Sequence, residues 1–454
     1  MHKPAVNSPG PLGAAVIWRF GAVVGPVQAF FRLQAASGIL LFSAALVALV
    51  WANSDARGSY QALFTAPITA SVAGLALRFD LQTLINEGLM TIFFFVVGME
   101  IKRELVAGEL NSLRKALLPA VAAVGGMLLP SGLYLVFNRG GSGQPGWGIP
   151  MATDIAFAIG CLTLLGRRVP QALSVFLMGL AIFDDIGGIL VIAIFYGHGT
   201  RPIWFLAAAA IGLLLFAVNR RRVRNGLVYA ALGAGLWYAL HRGGIHATIS
   251  GVVLGLMIPT RSRHPARQVL RDLESHANQL LAAPSDDQVD AACIRNIEET
   301  LEKLEAPLQR FIHTLHPWVA FAVMQLFALA NSGVYLHGMT RADLGASVTL
   351  GTVVGLALGK PVGIVAATAV AVKLGLCDRP GGAGWLALLG VGVLAGIGFT
   401  VAIFIAALAF PATPGLLAQA KVGIMFGSLI AGLVGTALLR ASLPLNPVAT
   451  GAPA

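Results

Sequence analysis

Two adjacent carboxylates, Asp184 and Asp185, lie inside an almost uninterrupted apolar run from Ala172 to Tyr196 that contains no other charged residue. A charged side chain at the centre of a bilayer costs about 3 kcal/mol on insertion scales, and adjacent like charges also repel each other. We therefore expect the pair to face water, a counter-ion or a transported ion. The pattern predicts a membrane carrier that moves a cation and protons through one carboxylate site.

Two further charged residues lie deep in apolar runs. Asp154 follows Pro150 and Thr153, and Lys360 lies between Leu356 and Gly363. Three deep carboxylates against one ammonium leave an excess of negative charge, which a bound cation or protons would neutralise. Asp154 would offset the positive N-terminal ends of broken helices, and Lys360 their negative C-terminal ends. A purely structural role for Asp154 or Lys360 is the alternative.

The composition is that of a polytopic membrane protein. Of the 454 residues, 57% are hydrophobic and only 11% are charged, whereas soluble domains have about 25% charged residues. The net charge of +11 fits basic cytoplasmic loops and not nucleic-acid binding. The three cysteines, Cys161, Cys293 and Cys377, are too scattered for a disulfide framework or a zinc site. We expect no cofactor and no enzymatic activity.

Apolar runs predict an all-α fold with about 12 transmembrane helices, since a span needs roughly 20 residues. The predicted spans lie near 36–53, 83–101, 116–137, 148–165, 172–196, 203–219, 227–241, 245–259, 317–336, 345–373, 384–410 and 418–440. With the N-terminus inside, 23 of the 31 Lys and Arg residues fall in cytoplasmic segments and seven outside. The prediction is a membrane domain at 36–440 with cytoplasmic tails at 1–35 and 441–454.

Two of these spans are interrupted. The span 148–165 is interrupted at Thr153–Asp154, and the span 384–410 is interrupted by four glycines, which are Gly390, Gly392, Gly396 and Gly398. Broken helices expose backbone groups that bind ions at mid-membrane. Each interrupted span lies in the middle of a three-span set, 116–196 or 345–440, as an inverted repeat would place it.

Two loops are long. The predicted extracellular loop 54–81 alternates partly in polarity and forms either a hairpin or a coil. The predicted cytoplasmic loop 261–316 is acidic and has an apolar stripe at helical spacing. The stripe consists of Ile294, Ile297, Leu301, Leu304, Leu308, Phe311 and Leu315. It predicts a helix on the membrane surface, with regulation or partner binding as the alternative.

Five segments together resemble the NhaA sodium/proton antiporters of bacteria over residues 36–440. They are TDIAFA at 153–158, FDDIG at 183–187, HPW at 316–318, GKP at 359–361 and GIGFT at 396–400. The resemblance implies an inverted-repeat antiporter fold with two unwound, crossed helices. It also implies pH-regulated, electrogenic exchange of cytoplasmic Na⁺ or Li⁺ for external protons, by alternating access, in the bacterial inner membrane.

The resemblance also implies roles for individual residues. Asp184 and Asp185 would bind the cation and protons, Lys360 would pair with Asp184, and Thr153 and Asp154 would belong to the unwound assembly. Candidates for the pH response are Glu100, Arg103, Glu104 and His246. The loop 54–81 would join two copies as a homodimer in membrane lipid. The chain departs from the best-studied family pattern in two places. Ile312 stands where that pattern has an acidic residue, just before the histidine that aligns with His313. The loop 261–316 is longer and more acidic than in that pattern.

Two other classes of function are the alternatives. An intramembrane aspartyl protease would pair Asp154 with Asp184 or Asp185, but adjacent helical residues diverge by about 100° and cannot form a facing dyad. The Gly-x-Gly-Asp pattern of that class is also absent, because Asp184 follows Ala-Ile-Phe. A proton-coupled carrier of an organic solute would need a roomier, aromatic-lined site, and no aromatic cluster lies near these carboxylates in the sequence.

Overall fold

The computed structural model describes residues 36–443, apart from residues 73–74, 109, 198–200, 224, 262–264, 282–295, 298–299, 301–305 and 338. The predicted tail 1–35, and the tail 441–454 beyond residue 443, lie outside the described residues. The described part is mostly helical, with one antiparallel hairpin.

The elements in chain order are α1 (Ala36–Ala52), α2 (Arg57–Phe64), β1 (Pro67–Val72), β2 (Leu75–Asp80), α3 (Leu81–Val106), α4 (Leu113–Phe137), a 3-10 segment (Gln144–Met151), α5 (Ile155–Leu164), α6 (Gln171–Phe195), α7 (Pro202–Arg220), α8 (Gly226–Gly243), α9 (Ile249–Met257), α10 (Ala266–Leu281), α11 (Pro307–Asn331), α12 (Arg341–Lys373), α13 (Trp385–Ala395), α14 (Phe399–Ala409) and α15 (Pro414–Ser442). Helices α3, α11 and α12 each contain a π-helical turn, at Leu84–Leu89, Val319–Val323 and Gly355–Gly359.

Within the described ranges, eight helices are each long and apolar enough to cross a bilayer. Two bent helix pairs also pass this test, and counting each pair as one span gives ten spans. The bent pairs are α1–α2, at 116°, and α13–α14, at 47°. Helices α8 and α9 correspond to the other two predicted spans. Helix α9 has nine residues, about 14 Å of helix, which is half the thickness of the hydrocarbon core. The count of twelve stays a prediction.

The loop 54–81 contains both a helix and a hairpin. Strands β1 and β2 pair in register from Pro67–Asp80 to Val72–Leu75, so the structure has the first of the two alternatives that the sequence left open. Helix α2 was not predicted. It is held by Tyr60, whose hydroxyl donates to the Leu329 carbonyl oxygen at 2.8 Å, near the C-terminal end of α11.

Helix α11 begins ten residues earlier than the predicted span at 317, with Pro307 in its first turn. Proline is favourable there because an N–H in the first turn has no partner within the helix. His313 and His316 therefore lie inside the helix, and not in front of it. Leu308 and Ile312 are buried in the protein core, and Leu308 belongs to the predicted apolar stripe. Residues 294, 301 and 304 of the stripe lie outside the described residues.

Two breaks interrupt the membrane helices, at Ala152–Asp154 between the 3-10 segment and α5, and at Gly396–Gly398 between α13 and α14. The second break is shorter than predicted, because Gly390 and Gly392 lie within α13. A Cβ at Gly390 would lie 2.8 Å from Leu439 Cγ, so this glycine lets α13 pack closely on α15. Small residues serve this purpose in membrane helices.

Helices α4 and α12 approach each other through backbone contact. A Cβ built on Gly125 would overlap the carbonyl oxygen of Gly363, and a Cβ on Gly363 would overlap that of Gly125. Such a contact fixes the position of α12 along α4, because neither helix can move inward and a larger residue would force them apart. Lys360 lies one turn from Gly363 on α12, so this contact helps to set where the lysine side chain enters the core.

Candidate functional site

The centre of the site is a fully buried ion pair between α6 and α12. Lys360 Nζ lies 2.8 Å from Asp184 Oδ2, and both side chains are 0% exposed. The Thr153 hydroxyl lies 2.6 Å from the same carboxylate oxygen. A buried ion pair is tolerated only when its geometry is good and further hydrogen bonds satisfy the charges. Lys360 and Thr153 supply these contacts to Asp184 from two different segments of the chain.

Lys360 also contacts the end of the 3-10 segment, where the break at Ala152–Asp154 begins. Met151 is the last residue of the 3-10 segment, and its carbonyl oxygen accepts a hydrogen bond from Lys360 Nζ. A cation is stabilised at a helix C-terminus because the last carbonyls have no partner within the helix and carry the negative end of the dipole. Lys360 thus contacts a helix end and a carboxylate at the same time, and compensation of the helix dipole stays a prediction.

Asp154 caps two helix N-termini with one carboxylate. Its Oδ1 accepts from the Phe157 N–H of α5 at 3.1 Å. Its Oδ2 accepts from the Thr400 N–H at 3.2 Å and from the Thr400 hydroxyl at 2.6 Å, both in the first turn of α14. A carboxylate at a helix N-terminus satisfies free N–H groups and offsets the dipole. The charge of Asp154 therefore stabilises both half-helices.

The two breaks are also joined directly. The Asp154 N–H donates to the Ile397 carbonyl oxygen at 2.6 Å, and the Thr153 hydroxyl lies 2.8 Å from the carbonyl oxygen of Ala395, the last residue of α13. The resemblance predicted two unwound helices that cross. The structure places their unwound segments in contact, while the crossing itself stays a prediction.

Asp185 differs from Asp184 in its surroundings. This residue is 6% exposed, and its carboxylate makes no hydrogen bond or ion pair with any residue in the described ranges. It lines a cavity of ≈ 80 Å³ together with Thr153, Asp154 and Glu100. The adjacent carboxylates thus point in different directions, as a helix requires, with Asp184 toward Lys360 and Asp185 toward space that admits water. One oxygen of Asp184, Oδ1, is also buried without a hydrogen bond.

The same cavity extends to three further residues, two near the C-terminal end of α3 and one on α11. Glu100 Oε1 lies 3.6 Å from His316 Nε2 of α11, and Glu100, Arg103 and His316 all line the cavity. Arg103 Nη2 lies 3.1 Å from Glu104 Oε1. The structure thus connects Glu100 and Arg103 to Asp185 by one cavity, with Glu104 bound to its edge.

His246 lies elsewhere. Its Nε2 is 2.6 Å from the carbonyl oxygen of Tyr196, which follows the C-terminal end of α6. Tyr196 is eleven residues beyond Asp185, about 17 Å along the helix axis. The structure therefore does not bring His246 together with Glu100, Arg103 and Glu104, although the sequence analysis grouped all four as candidates for the pH response.

Sequence reasoning missed several contributors to the site. The carbonyl groups of Met151, Ala395 and Ile397 could not be found from residue types, since every residue has one. Thr400 was seen only as part of a motif, and its position just after Gly398 at a helix start was a usable signal for a capping partner. His316 was also seen only within a motif, whereas the structure turns it toward Glu100.

The donors suit a small hard cation. Carboxylates, a hydroxyl and backbone carbonyls are oxygen ligands, which alkali and alkaline-earth ions prefer over nitrogen or sulfur. Among the described residues there is no cluster of three or more His, Cys, Asp and Glu side chains that could hold a resident metal ion. These features define a polytopic membrane protein with a charge-paired oxygen site where two broken helices meet.

Comparison with known proteins agrees with this class. A family model described as Na⁺/H⁺ antiporter 1 matches residues 28–439. The chain is 54% identical over 432 residues to the Na⁺/H⁺ antiporter NhaA of Anaeromyxobacter sp. (strain Fw109-5), covering 95% of this chain and 94% of that protein. It is 54% identical over 421 residues to Na⁺/H⁺ antiporter NhaA 1 of Myxococcus xanthus (93% and 94%) and 42% identical over 419 residues to NhaA of Helicobacter pylori (strain J99; 91% and 94%). The chain belongs to the NhaA family of Na⁺/H⁺ antiporters.

Proposed function

We propose that this chain exports Na⁺ in exchange for external protons, with both ions competing for Asp184 and Asp185. The family membership supports sodium/proton exchange, and all the relatives reported above are named as antiporters. The observation that supports the site is the difference between the two carboxylates. Asp184 is neutralised by Lys360, whereas Asp185 faces the cavity without a partner among the described residues.

The cation would enter from the cytoplasm in the state that the structure shows. The cavity residues Ser37, Arg103, Met178 and His316 lie on the halves of their helices that the Lys and Arg distribution assigns to the cytoplasm. Two residues beyond the pair, a Cβ at Gly187 would overlap Met127 Sδ, so Met127 packs against α6 at that point. This arrangement supports an inward-facing state of an alternating-access cycle, with both termini cytoplasmic.

The exchange would be coupled through the Thr153 hydroxyl. A hydroxyl has one hydrogen and cannot donate to both Asp184 Oδ2 and the Ala395 carbonyl oxygen. When Asp184 is ionised, the Thr153 hydroxyl donates to it. When Asp184 carries a proton, the carboxyl can donate to Thr153, whose own hydrogen is then free for Ala395. Protonation would thus strengthen the connection to the second break.

The cycle would be electrogenic because the site has two exchanging carboxylates and carries a single monovalent cation. If both Asp184 and Asp185 take up protons on the return step, more than one positive charge enters for each Na⁺ that leaves. A membrane potential that is negative inside would then drive Na⁺ export. Li⁺ is also a hard monovalent cation and would use the same oxygen donors.

Activity would depend on pH through two groups of residues, one on the cytoplasmic side of the protein and one on the external side. Glu100, Arg103, Glu104 and His316 form the cavity edge, and His246 contacts Tyr196 at the other end of α6. We assign the cytoplasmic response to the first group and an external one to His246. The hairpin β1–β2 would join two copies as a homodimer in the inner membrane.

The function is tested in proteoliposomes with an internal pH dye and an imposed pH gradient. Na⁺ and Li⁺ should dissipate the gradient, K⁺ and choline should not, and a potential imposed with valinomycin and K⁺ should change the rate. Asp185→Asn should abolish the response with the protein still folded. Wild-type exchange in Asp185→Asn, or a wild-type protein that responds to no inorganic cation, would contradict the proposal.

The enzymatic alternative finds no support in the geometry. Both oxygens of Asp154 accept hydrogen bonds from helix N-termini, and Asp184 is bound to Lys360. A protease dyad needs two carboxylates that share a proton and a water, and Asp154, which both possible pairings require, has its two oxygens engaged by helix N-termini. An organic-solute carrier is disfavoured because ≈ 80 Å³ is well below the roughly 300 Å³ of the smallest usual ligand pockets.

A further inference from the structure

A second concave site lies outside the ion-binding machinery, between the start of α4, helix α6 and the segment that follows α12. It has a volume of ≈ 750 Å³, within the roughly 300–1,000 Å³ range of ligand pockets. Its walls are mostly apolar and include Leu117, Ala120, Phe183 and Leu376. We call it the α4–α12 groove. Phe183, which is half-buried, lines the groove and directly precedes Asp184 in the chain.

The rim of the groove is basic at one end. Arg114 lines the rim, is exposed and makes no hydrogen bond or ion pair with any described residue. Lys373 and Arg379 flank the segment 375–378 that closes the groove, and Asp378 is the acidic residue of that segment. Basic residues therefore outnumber acidic ones around an opening whose interior is apolar.

Exposed apolar side chains indicate that the groove lies at the level of the bilayer surface. Leu113 is 92% exposed and Leu376 is 51% exposed, and both lie on the groove wall. The Arg379 guanidinium lies 5.6 Å from the centre of the Trp385 ring. Trp385 is 41% exposed, and an exposed tryptophan beside a basic residue is typical of the cytoplasmic membrane–water interface. The groove thus begins among lipid headgroups and extends toward the hydrocarbon region.

We propose that the α4–α12 groove binds one anionic phospholipid, with an acyl chain along the apolar wall toward Phe183 and the phosphate beside Arg114. Anionic lipids are attracted to basic residues at the cytoplasmic surface. The apolar wall favours the acyl chain by burial of its methylene groups. A soluble phosphate compound would gain only the first contribution.

Cys377 provides a probe inside the groove. It lines the wall and is a free, partly buried thiol. Burial and, to a smaller extent, the neighbouring Asp378 raise the pKa of the Cys377 thiol. Since the thiolate is the reactive form, maleimide labelling should be measured at alkaline pH, where more thiolate is present. A bound acyl chain would shield the thiol.

The experiment uses the full chain with Cys161 and Cys293 replaced by serine, purified in detergent and stripped of lipid. The labelling rate of Cys377 is measured with phosphatidylglycerol, phosphatidylcholine or inorganic phosphate. Phosphatidylglycerol should slow labelling in a saturable way, by about tenfold at ten times its Kd, while phosphatidylcholine and phosphate should have little effect. Arg114→Gln should remove the protection. Arg139→Gln, at the other end of α4 and also exposed, is the matched control and should keep it.

Four results would overturn the proposal. Equal protection by both lipids, or full protection in Arg114→Gln, would show that the rim does not recognise an anionic headgroup. Absence of protection by any lipid would show that no acyl chain enters the groove. Protection that rises with protein concentration in the absence of lipid would show that a second copy of the chain covers the groove instead.

Discussion

At the scale of single residues, the main feature of the site is that two neighbouring carboxylates have different surroundings. Asp184 is paired with Lys360 and bonded to Thr153, while Asp185 faces the water-accessible cavity. Two unpaired carboxylates at this depth would be too costly, and two paired ones would leave nothing to exchange. The asymmetry leaves one carboxylate with a counter-ion and one that faces the cavity, as the proposed exchange at Asp185 requires.

Removing Lys360 alone should be more damaging than removing the pair. Lys360→Gln leaves Asp184 buried without its counter-ion, and breaking a buried pair costs about 3–5 kcal/mol. We expect a large loss of thermal stability in detergent. The double variant Asp184→Asn with Lys360→Gln should recover most of it, because no uncompensated charge remains. Losses that simply add in the double variant would show that the pair is not coupled as described.

At the scale of elements, the two breaks are stabilised because a few side chains form hydrogen bonds with the free backbone groups at the helix ends. Asp154 accepts from two helix N-termini, and Lys360 donates to the end of the 3-10 segment. Unsatisfied backbone groups in a bilayer cost several kcal/mol each. Without these side chains, backbone groups at both breaks would be unsatisfied, so the residues that hold the helices also shape the candidate ion site.

Asp154→Ala should therefore destabilise the protein more than the loss of an ordinary cap. Three donors lose their acceptor, and each buried unsatisfied donor costs about 1–3 kcal/mol. Asp80 provides the matched control, since its Oδ1 accepts from the Thr83 N–H at the start of α3. Asp80→Ala should cost about 1 kcal/mol. Equal melting temperatures for the two variants would refute the double-cap role.

Helix α3, which carries Glu100, is positioned by close contact with α9. A Cβ at Gly98 would lie 2.7 Å from the Val252 carbonyl oxygen, so Gly98→Ala should push the helices apart and cost about 1–3 kcal/mol. A Cβ at Gly212 on α7 would meet no heavy atom within 4 Å, and Gly212→Ala should be neutral or slightly stabilising. Thermal melts of both variants check this, and a neutral Gly98→Ala would contradict the packing.

At the scale of the whole molecule, the sequence predicted the mostly helical membrane fold, whereas the bounds of single helices and breaks depend on packing. Asp154, Asp184, Asp185 and Lys360 stand out because charge is rare in apolar runs, and Thr153 was identified beside Asp154 and through its motif. The carbonyls that complete the site have no sequence signal. Helix α9 was predicted as a span because apolar residues continue past its ends, whereas its length depends on tertiary packing. Gly390 was assigned to a break because a glycine that permits helix packing and one that permits a turn look alike in sequence.

The inward-facing assignment predicts one-sided access. In a background with Cys161, Cys293 and Cys377 all replaced by serine, a cysteine at Met178 (Met178→Cys) lies on the cavity wall. It should react with an impermeant thiol reagent from the cytoplasmic side only, with Na⁺ slowing the reaction. Leu190→Cys, on the same helix and 55% exposed on its apolar surface, should stay unreactive from both sides because the lipid excludes the reagent. Labelling of Met178→Cys only from outside would reverse the assigned orientation.

The central claim is that Na⁺ and protons compete for the same two carboxylates. The most direct test adds Na⁺ to the purified protein in weakly buffered detergent solution and measures the protons released with a pH indicator. We expect saturable proton release in the wild type, an apparent Kd for Na⁺ that rises as pH falls, and no release in Asp185→Asn. Na⁺ binding without proton release, or unchanged release in Asp185→Asn, would contradict the account.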